Sequence, residues 1–280
     1  MINSLIWLSD LHLDMVSEDV IIQLGKKIHN SFGDAVIITG DIGSFDKNVR
    51  YLELLEKEIQ KQIYFVLGNH DSYYGSFNEL HKNMKTLTAN SKYLKWMNVS
   101  GIVKLTPNTC LVGHDGFYDG RNGSYFGYVN STEWMPSHYD EQFEMNDFHL
   151  IDEIKWRKTR EDKLKYFNFL GDKSAKYFKY YINKAAKTYK NVLAITHVPP
   201  FVEVSKHNNL TSSIYSLPFY SCKALGDTLL ELKTKLPNNK IVMFCGHCHS
   251  PAEMHQKNLH VYVAGAKYRE PEIYNIIHIE

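Results

Sequence analysis

The feature that most constrains the fold is a regular alternation between short apolar runs and amphipathic stretches near the start of the chain. Between residues 4 and 70 the order is SLIWLS, VIIQLGKKIH, AVIITG, VRYLELLEKEI and QIYFVL. Short apolar runs suit strands that are buried on both faces, and the stretches between them repeat their apolar residues at helical spacing. The alternation therefore predicts a βαβαβ unit built on a parallel sheet.

The same criteria predict further elements downstream. Strands are expected at 102–105, 109–113, 191–196, 241–245, 259–264 and 272–279, and helices near 76–88, 172–189 and 225–236. Residues 115–172 lack a strand signal and are interpreted as a partly helical insertion. Because the 280 residues contain no repeat and no low-complexity linker, one α/β domain over residues 1–280 is expected to include this insertion.

Charge and composition narrow the classes of function. Lysine and arginine number 32 against 31 acidic residues, so no global field would attract nucleic acid or an anionic membrane. The sequence shows neither a signal-peptide pattern nor an apolar run of about 20 residues, which predicts a soluble, cytoplasmic protein without a membrane partner. The four cysteines are too unevenly spaced for a disulfide framework and are expected to be reduced.

Metal-capable side chains are concentrated in five short segments, each of which follows a predicted strand. They are Asp10-Leu11-His12, Gly40-Asp41, Gly68-Asn69-His70-Asp71, His197 and Gly246-His247-Cys248-His249. In open α/β sheets the ends of parallel strands converge on one crevice, so these side chains are expected to meet there. A single segment of this kind more often caps a turn, but five in succession indicate a metal centre.

This succession resembles the calcineurin-like metallophosphoesterases, whose pattern of D-x-H, GD, GNH-D/E, a lone H and GH-x-H is matched between residues 10 and 249. The resemblance implies a four-layer α/β/β/α sandwich and two divalent or trivalent transition-metal ions. By position in the pattern, the first ion would be held by Asp10, His12 and His249, the second by Asn69, His197 and His247, and both by a bridging Asp41.

The residue types agree with that chemistry. Two ions about 3.5–4 Å apart need a carboxylate that gives one oxygen to each, and such a pair lowers the pKa of a bridging water. The resemblance thus implies hydrolysis of a phosphate mono- or diester by a metal-bridging hydroxide, with His70 protonating the leaving oxygen and Asp71 orienting the His70 ring. Imidazole, carboxylate and amide ligands favour Mn, Fe, Co, Ni or Zn over Ca.

The sequence also allows other interpretations, as a haem or redox protein, a binding scaffold or a nucleic-acid-binding protein. The run from Cys245 to His249 matches the C-x-x-C-H pattern of covalent haem attachment, and Cys245 with Cys248 forms a C-x-x-C redox pair. A relative without activity would be a binding scaffold, although no ligand position is missing here. Basic and aromatic residues at 155–158, with Arg160, would suit nucleic acid, but the acidic residues beside them favour a solvated helix face.

The substrate is the feature on which the sequence says least, beyond a phosphate ester as the expected partner. His114 follows the apolar run TCLVG and is a candidate for lining the crevice from one side. Aromatic residues in the insertion would suit stacking on a nucleotide-like group, or would pack the insertion itself. They are Phe117, Tyr118, Tyr125, Phe126 and Tyr128. The sequence carries no signal for an oligomeric state.

Overall fold

The computed structural model describes residues 1–125 and 145–279 of the chain. Its first sheet contains four parallel strands and one antiparallel edge strand. These are β1 (Ser4–Leu8), β2 (Ala35–Thr39), β3 (Gln62–Val66), β4 (Leu94–Trp96) and the antiparallel β13 (Asn275–His278). In space the strands are ordered β13-β1-β2-β3-β4, so the three strands of the predicted βαβαβ unit are direct neighbours.

The second sheet also has a parallel centre, with an antiparallel strand at each edge. Its strands are β5 (Val103–Lys104), β6 (Thr109–Gly113), β7 (Asn191–Ile195), β10 (Lys240–Cys245), β11 (Ala252–Gln256) and β12 (Leu259–Val263). They are ordered β11-β12-β10-β7-β6-β5. A separate small hairpin joins β8 (Lys206–His207) to β9 (Leu210–Thr211).

Helices cover the outer face of each sheet. The first sheet is covered by α1 (Glu18–His29), α2 (Asn48–Ile59) and α3 (Phe77–Asn90), and the second by α7 (Arg160–Ala185) and α9 (Lys223–Lys235). The shorter helices are α4 (Met97–Ser100), α5 (Asp147–Leu150), α6 (Asp152–Lys155) and α8 (Leu217–Tyr220). Within the described ranges, no helix combines the length and apolar character needed to cross a membrane.

Strand alternation decides which core each buried side chain joins. Ile6 and Ile38 belong to the core between the first sheet and its helices, whereas Trp7 and Ile37 belong to the core between the two sheets. Successive side chains of a strand point to opposite faces, so a strand buried on both faces reads as one apolar run. Trp7 meets Phe244 of the second sheet edge to face, with ring centroids 5.0 Å apart. These layers form the predicted α/β/β/α sandwich.

Four strands, β4, β8, β9 and β11, were not predicted from the sequence, and the start of one helix also differs. β4 has only three residues, and the edge strand β11 (AEMHQ) is polar and partly exposed, so neither presents an apolar run. Helix α7 begins at Arg160 rather than near residue 172. Its first turns are highly charged and hide the helical period, but Thr159 caps the helix by accepting a hydrogen bond from the Asp162 amide.

The predicted insertion, as far as the structure describes it, forms part of the core of the second sheet. Phe117 and Tyr118 are 4% and 0% exposed and pack against Phe167 of α7. The same core contains Val112 of β6 and Phe148 of α5. Residues 126–144, which include Phe126 and Tyr128, lie outside the described residues. The segment after residue 144 packs into the core of the second sheet through Phe148.

Candidate metal centre

The five predicted segments form loops at the carboxyl ends of β1, β2, β3, β7 and β10. These strands are parallel neighbours within their sheets, so each sheet directs its loops towards one edge of the sandwich. The His247 amide of the second sheet donates to Asp10 Oδ1 of the first at 2.8 Å. The structure brings together all seven predicted ligand residues: Asp10, His12, Asp41, Asn69, His197, His247 and His249.

The backbone is unusual at most of these positions. Five of the seven residues have positive φ, between 41° and 73°, namely Asp10, His12, Asp41, His247 and His249. This left-handed region is uncommon for residues other than glycine, and sparsely populated conformations cost on the order of 1–3 kcal/mol each. They persist where surrounding structure fixes them, and such outliers cluster at functional sites.

The first half of the site contains Asp10, His12, Asp41 and His249, whose ligand atoms all lie within 4.8 Å of one another. His12 Nε2 is 3.1 Å from His249 Nε2 and 3.9 Å from Asp41 Oδ2. His249 Nε2 is 3.5 Å from Asp10 Oδ1. Two imidazole nitrogens and two carboxylates that converge in this way form a nitrogen and oxygen donor set suited to a transition metal.

The second half contains Asn69, His197 and His247 and shares Asp41 with the first. Asn69 Oδ1 is 3.2 Å from His197 Nε2 and 3.1 Å from His247 Nδ1. His197 Nε2 is also 3.3 Å from Asp41 Oδ2, the same oxygen that faces His12. Asp41 therefore lies between the two halves, where a bridging ligand is required.

Backbone carbonyls determine which nitrogen of each second-half histidine faces the site. His197 Nδ1 is 2.8 Å from Thr39 O, and His247 Nε2 is 2.8 Å from Phe219 O. A carbonyl oxygen only accepts, so these nitrogens carry hydrogen, and His197 Nε2 and His247 Nδ1 are left for a ligand. His12 differs, because its buried Nδ1 has no hydrogen-bond partner in the described part of the chain.

Two loop glycines leave room for the ligand atoms. A Cβ at Gly68 would overlap Asp41 Oδ1 and come within 2.7 Å of His197 Nε2. A Cβ at Gly246 would overlap Asp10 Oδ2. Any side chain at either position would push a ligand atom out of the site. The donor set, the shared Asp41 and this close packing all fit a pair of transition-metal ions.

Burial and mutual charge hold the histidines of the site in different protonation states. Burial lowers the pKa of His12 to about 4 and that of His247 to about 3. For His197, burial is outweighed by the charge of Asp41, which raises the pKa to about 10. Burial raises the pKa of Asp10, but the hydrogen bond with His249 and the charge of His197 bring it down to about 2. Both carboxylates are thus ionised at neutral pH, since the pKa of Asp41 is also lowered.

His70 lies at the edge of the first half of the site. Its ring centroid is 4.6 Å from that of His12, and the ring stacks on Tyr73 at 4.2 Å. Its backbone amide donates to Asp41 Oδ1 at 2.9 Å. Neither ring nitrogen has a hydrogen-bond partner among the residues described, and the side chain is partly exposed. The ring is therefore available to a bound substrate.

The expectation that Asp71 orients the His70 ring is wrong in this structure. Asp71 is fully buried, and its Oδ1 accepts hydrogen bonds from the amides of Ile42 and Gly43, each at 2.9 Å. Its Oδ2 accepts from the Gly68 amide at 2.7 Å. With both oxygens occupied by backbone donors, Asp71 joins the loop after β2 to the loop after β3. It fixes the position of Asp41 relative to Asn69.

His114 lines a cavity separate from the convergent ligands. The cavity has a volume of about 230 Å³ and is bordered by Gly68, His81 and Phe117 among others. His114 Nδ1 accepts a hydrogen bond from the Gly116 amide at 3.0 Å, and its ring packs on Tyr177. None of its contacts is with a predicted ligand side chain. Its predicted role in lining the substrate crevice therefore has no support from these contacts.

The cysteines of the C-x-x-C-H pattern are enclosed in the core. Cys245 and Cys248 are each 0% exposed, are free thiols, and belong to the core of the second sheet. Burial raises the pKa of both thiols. Neither sulfur is accessible to a haem vinyl group or to a redox partner. His249, the last residue of the pattern, is directed at Asp10.

The two arginines among the residues considered for nucleic-acid binding contact other parts of the chain, whereas Trp156 is 64% exposed. The Arg157 guanidinium lies 3.6 Å from the centre of the Tyr166 ring. Arg160 donates to the backbone oxygen of Tyr125 at 2.6 Å. These groups stabilise α7 and its surroundings, which agrees with the helix-face interpretation.

Two residues at the site were not singled out in the sequence. Tyr268 is half-exposed, and its ring centroid is 4.6 Å from that of His12 and 4.7 Å from that of His249. It follows β12 by five residues, so a search beyond the ends of all strands would have found it. Asp147 accepts a hydrogen bond from Asn69 Nδ2 at 2.9 Å. No sequence pattern marks Asp147, because it lies beside no predicted strand.

Comparison with known proteins identifies the family of the chain and finds solved structures with a similar fold. The family model for calcineurin-like phosphoesterases matches residues 4–251. The phosphopantetheinyl hydrolase of Mycobacterium tuberculosis has a similar fold, with a TM-score of 0.64, 14% identity and coverage of 99% of this chain and 96% of that one. A dimetal phosphatase from Danio rerio has a TM-score of 0.60 and 12% identity, over 99% and 93% of the two chains. No curated protein sequence gives a significant match.

The chain belongs to the calcineurin-like phosphoesterase family, because the family model spans most of its length. It is therefore a phosphoesterase, an enzyme that hydrolyses phosphate esters with the help of bound metal. The structural neighbours share its fold at identities too low to carry their substrates over to this protein.

Proposed function

We propose that the protein is a dinuclear metallohydrolase that cleaves a phosphate mono- or diester. In this proposal Asp10, His12 and His249 hold one ion, Asn69, His197 and His247 hold the other, and Asp41 bridges them. The observation that carries the proposal is that one oxygen, Asp41 Oδ2, faces His12 Nε2 at 3.9 Å and His197 Nε2 at 3.3 Å. A single carboxylate between two separate donor sets is what a metal pair requires.

The donor set favours Mn, Fe, Co, Ni or Zn, since it contains imidazole nitrogens, carboxylates and one amide oxygen. When bound, the two ions supply positive charge to the substrate phosphate and acidify the attacking water. The protein orients the ligands for this purpose through Thr39 O and Phe219 O, which fix the ring nitrogens of His197 and His247.

His70 is proposed to protonate the leaving oxygen. Its ring is close to the His12 ring, partly exposed, and without a hydrogen-bond partner in the described ranges. Stacking on Tyr73 limits its rotation. A general acid must be within hydrogen-bond reach of the leaving group, and the partly exposed ring of His70 at the edge of the site is the candidate for this role.

The substrate is proposed to carry a planar group, as a nucleotide does. The aromatic residues first considered for this role do not support it where the structure describes them, since Phe117, Tyr118 and Tyr125 are at most 5% exposed. Tyr268 supports it instead, because its half-exposed ring stands directly beside His12 and His249. A planar leaving group could stack there while its phosphate reaches the ions.

A turnover panel tests the proposal. Purified protein with added Mn²⁺ would be assayed on a nitrophenyl monoester, a bis-nitrophenyl diester, nucleotides, a phosphopeptide and single-stranded DNA, with metal-chelated protein as the control. We expect metal-dependent hydrolysis of at least one ester, and a higher kcat/KM for nucleotides than for the phosphopeptide. Hydrolysis that survives complete metal removal would contradict the proposal.

A further inference from the structure

Asp147 is a buried carboxylate with no catalytic role in the proposed reaction, yet it contacts a proposed metal ligand. It is the first residue of α5 and is 0% exposed. Its Oδ1 accepts from Asn69 Nδ2 at 2.9 Å and from the Tyr73 hydroxyl at 2.6 Å. Its Oδ2 accepts from the Tyr118 hydroxyl at 2.9 Å. Three neutral donors thus satisfy this carboxylate, and within residues 1–125 and 145–279 it forms no ion pair.

This network determines which end of the Asn69 amide faces the proposed second ion. An asparagine side chain has an oxygen that can bind a cation and an NH₂ group that cannot. An ionised carboxylate only accepts hydrogen bonds, so with Asp147 in that form the amide end that faces it is the NH₂ group. Asn69 Oδ1 is then directed to the other side, where it lies 3.2 Å from His197 Nε2 and 3.1 Å from His247 Nδ1.

Two tyrosines hold the carboxylate in this position. Tyr73 OH bonds to Asp147 and lies 3.3 Å from Asn69 Nδ2, so it closes a ring of contacts around the amide. Tyr118 secures the second oxygen and packs on Phe167 of α7. Because both aromatic rings are buried, the carboxylate has little freedom to turn away from Asn69.

We propose that Asp147 is a positioning residue for the second metal site, which holds the amide oxygen of Asn69 towards His197 and His247. The inference rests on the proposed dinuclear function and adds a residue to it. Outer partners of metal ligands commonly contribute about 10–100-fold to metal affinity. Asp147 fills this role for Asn69, as Thr39 O does for His197 and Phe219 O does for His247.

The test compares the Mn²⁺ content and Mn²⁺ affinity of wild-type protein with those of three variants. Asp147→Ala removes the acceptor. Asp147→Asn keeps one, because its amide oxygen can face Asn69 while its NH₂ group donates to the Tyr118 oxygen. Asp119→Ala is the matched control. Asp119 is also 0% exposed and lies, like Asp147, in the predicted insertion at 115–172. Its carboxylate accepts hydrogen bonds from Arg121 and from the Ala224 amide, not from a proposed metal ligand.

We expect Asp147→Ala to bind the ion at Asn69, His197 and His247 roughly 10–100-fold more weakly than wild type. Its affinity for the ion at Asp10, His12 and His249 should be unchanged. The two steps of a Mn²⁺ titration, which are separate in wild type, should then move closer together, and excess Mn²⁺ would restore kcat. Asp147→Asn and Asp119→Ala should both bind two ions nearly as wild type does. If Asp147→Ala does not fold, Asp147→Ser replaces it, since its hydroxyl is too short to reach Asn69.

Unchanged affinity for the second ion in the alanine or serine variant would overturn the inference. An equal fall in affinity at both metal sites would also overturn it, because Asp147 contacts a ligand of only one site. The same would follow if Asp147→Asn lost as much affinity as Asp147→Ala, because asparagine keeps an oxygen that can accept from Asn69. The proposed function fails separately, if wild-type protein binds two ions but hydrolyses no ester of the panel. The metal titration gives its answer on Asp147 in either case.

Discussion

The two halves of the metal centre differ in how their ligands are supported. In the second half, Asn69, His197 and His247 are at most 7% exposed, and each has an outer hydrogen-bond partner. In the first half, His12 Nδ1 has no partner among the described residues, and the side chain of His249 is 17% exposed. The fold therefore orients the ligands of the second half in advance, whereas the geometry of the first half depends more on the bound ion.

Asp41 belongs to both halves, and its replacement tests whether they act as one unit. In Asp41→Asn the neutral side chain would no longer supply an anionic bridge between the ions. We expect kcat/KM to fall by more than roughly 10⁴-fold, since a metal pair contributes several kcal/mol to stabilising the transition state. Steady-state kinetics on the preferred ester of the panel, with metal content measured alongside, provide the check. Wild-type turnover in this variant would contradict the bridging role.

Replacing His70 should slow the chemical step without changing metal binding in either half of the site. A His70→Asn variant would lack the proton donor, and we expect kcat to fall roughly 10²–10⁴-fold. Both ions should remain, because neither ring nitrogen of His70 hydrogen-bonds to a proposed ligand in the part of the chain described. The loss should be smaller on a nitrophenyl ester, whose leaving group needs little protonation, than on an alkyl ester. Equal losses on the two esters would exclude His70 as the acid.

The support given to each half predicts an order of metal release. We expect the ion held by Asp10, His12 and His249 to bind roughly 10–100-fold more weakly than its neighbour, because its ligands have fewer outer partners. A chelator titration of the loaded protein should therefore show two steps. His249→Ala should retain the tighter step, and His247→Ala should retain the weaker one. Two release steps of equal affinity would contradict the predicted difference between the halves. So would a tighter step that is lost in His249→Ala and kept in His247→Ala.

Protonation should couple metal binding to pH mainly through the second half. The pKa of His197 is raised to about 10, so its Nε2 carries a proton at neutral pH in the metal-free protein and must lose it to bind an ion. Affinity should rise about tenfold per pH unit as the pH approaches 10 from below. Calorimetry in two buffers of different ionisation enthalpy would measure the released proton. Affinity that falls over this range would contradict the prediction.

The same shift has the opposite effect on the metal-free fold. Because the pKa of His197 in the folded chain lies above its ordinary value of 6.5, its charge stabilises the fold fully below that pH. This contribution is lost as the pH rises through about 10. His12 and His247 have lowered pKa values of about 4 and 3, so they are already neutral at pH 7 and release no proton when metal binds.

Sequence reasoning succeeded where the signal is local. The β1–β3 unit follows from the spacing of apolar residues, and the convergence of the seven candidate ligands could be predicted because polar residues after a strand lie at a sheet edge. It failed where the contact is distant in the chain. Asp147 reaches Asn69 across 78 positions, and Asp71 turns to backbone amides 28 and 29 residues away instead of to its neighbour His70. Such contacts depend on how distant parts of the chain pack together, and a local sequence pattern does not predict that packing.

Anomalous X-ray diffraction from crystals grown with Mn²⁺ would show whether two ions bind on either side of Asp41. We expect two anomalous peaks about 3.5–4 Å apart, with Asp41 Oδ2 between them. One peak should be surrounded by Asp10, His12 and His249, and the other by Asn69, His197 and His247. A single peak at full metal saturation, or a pair bound away from Asp41, would contradict this expectation.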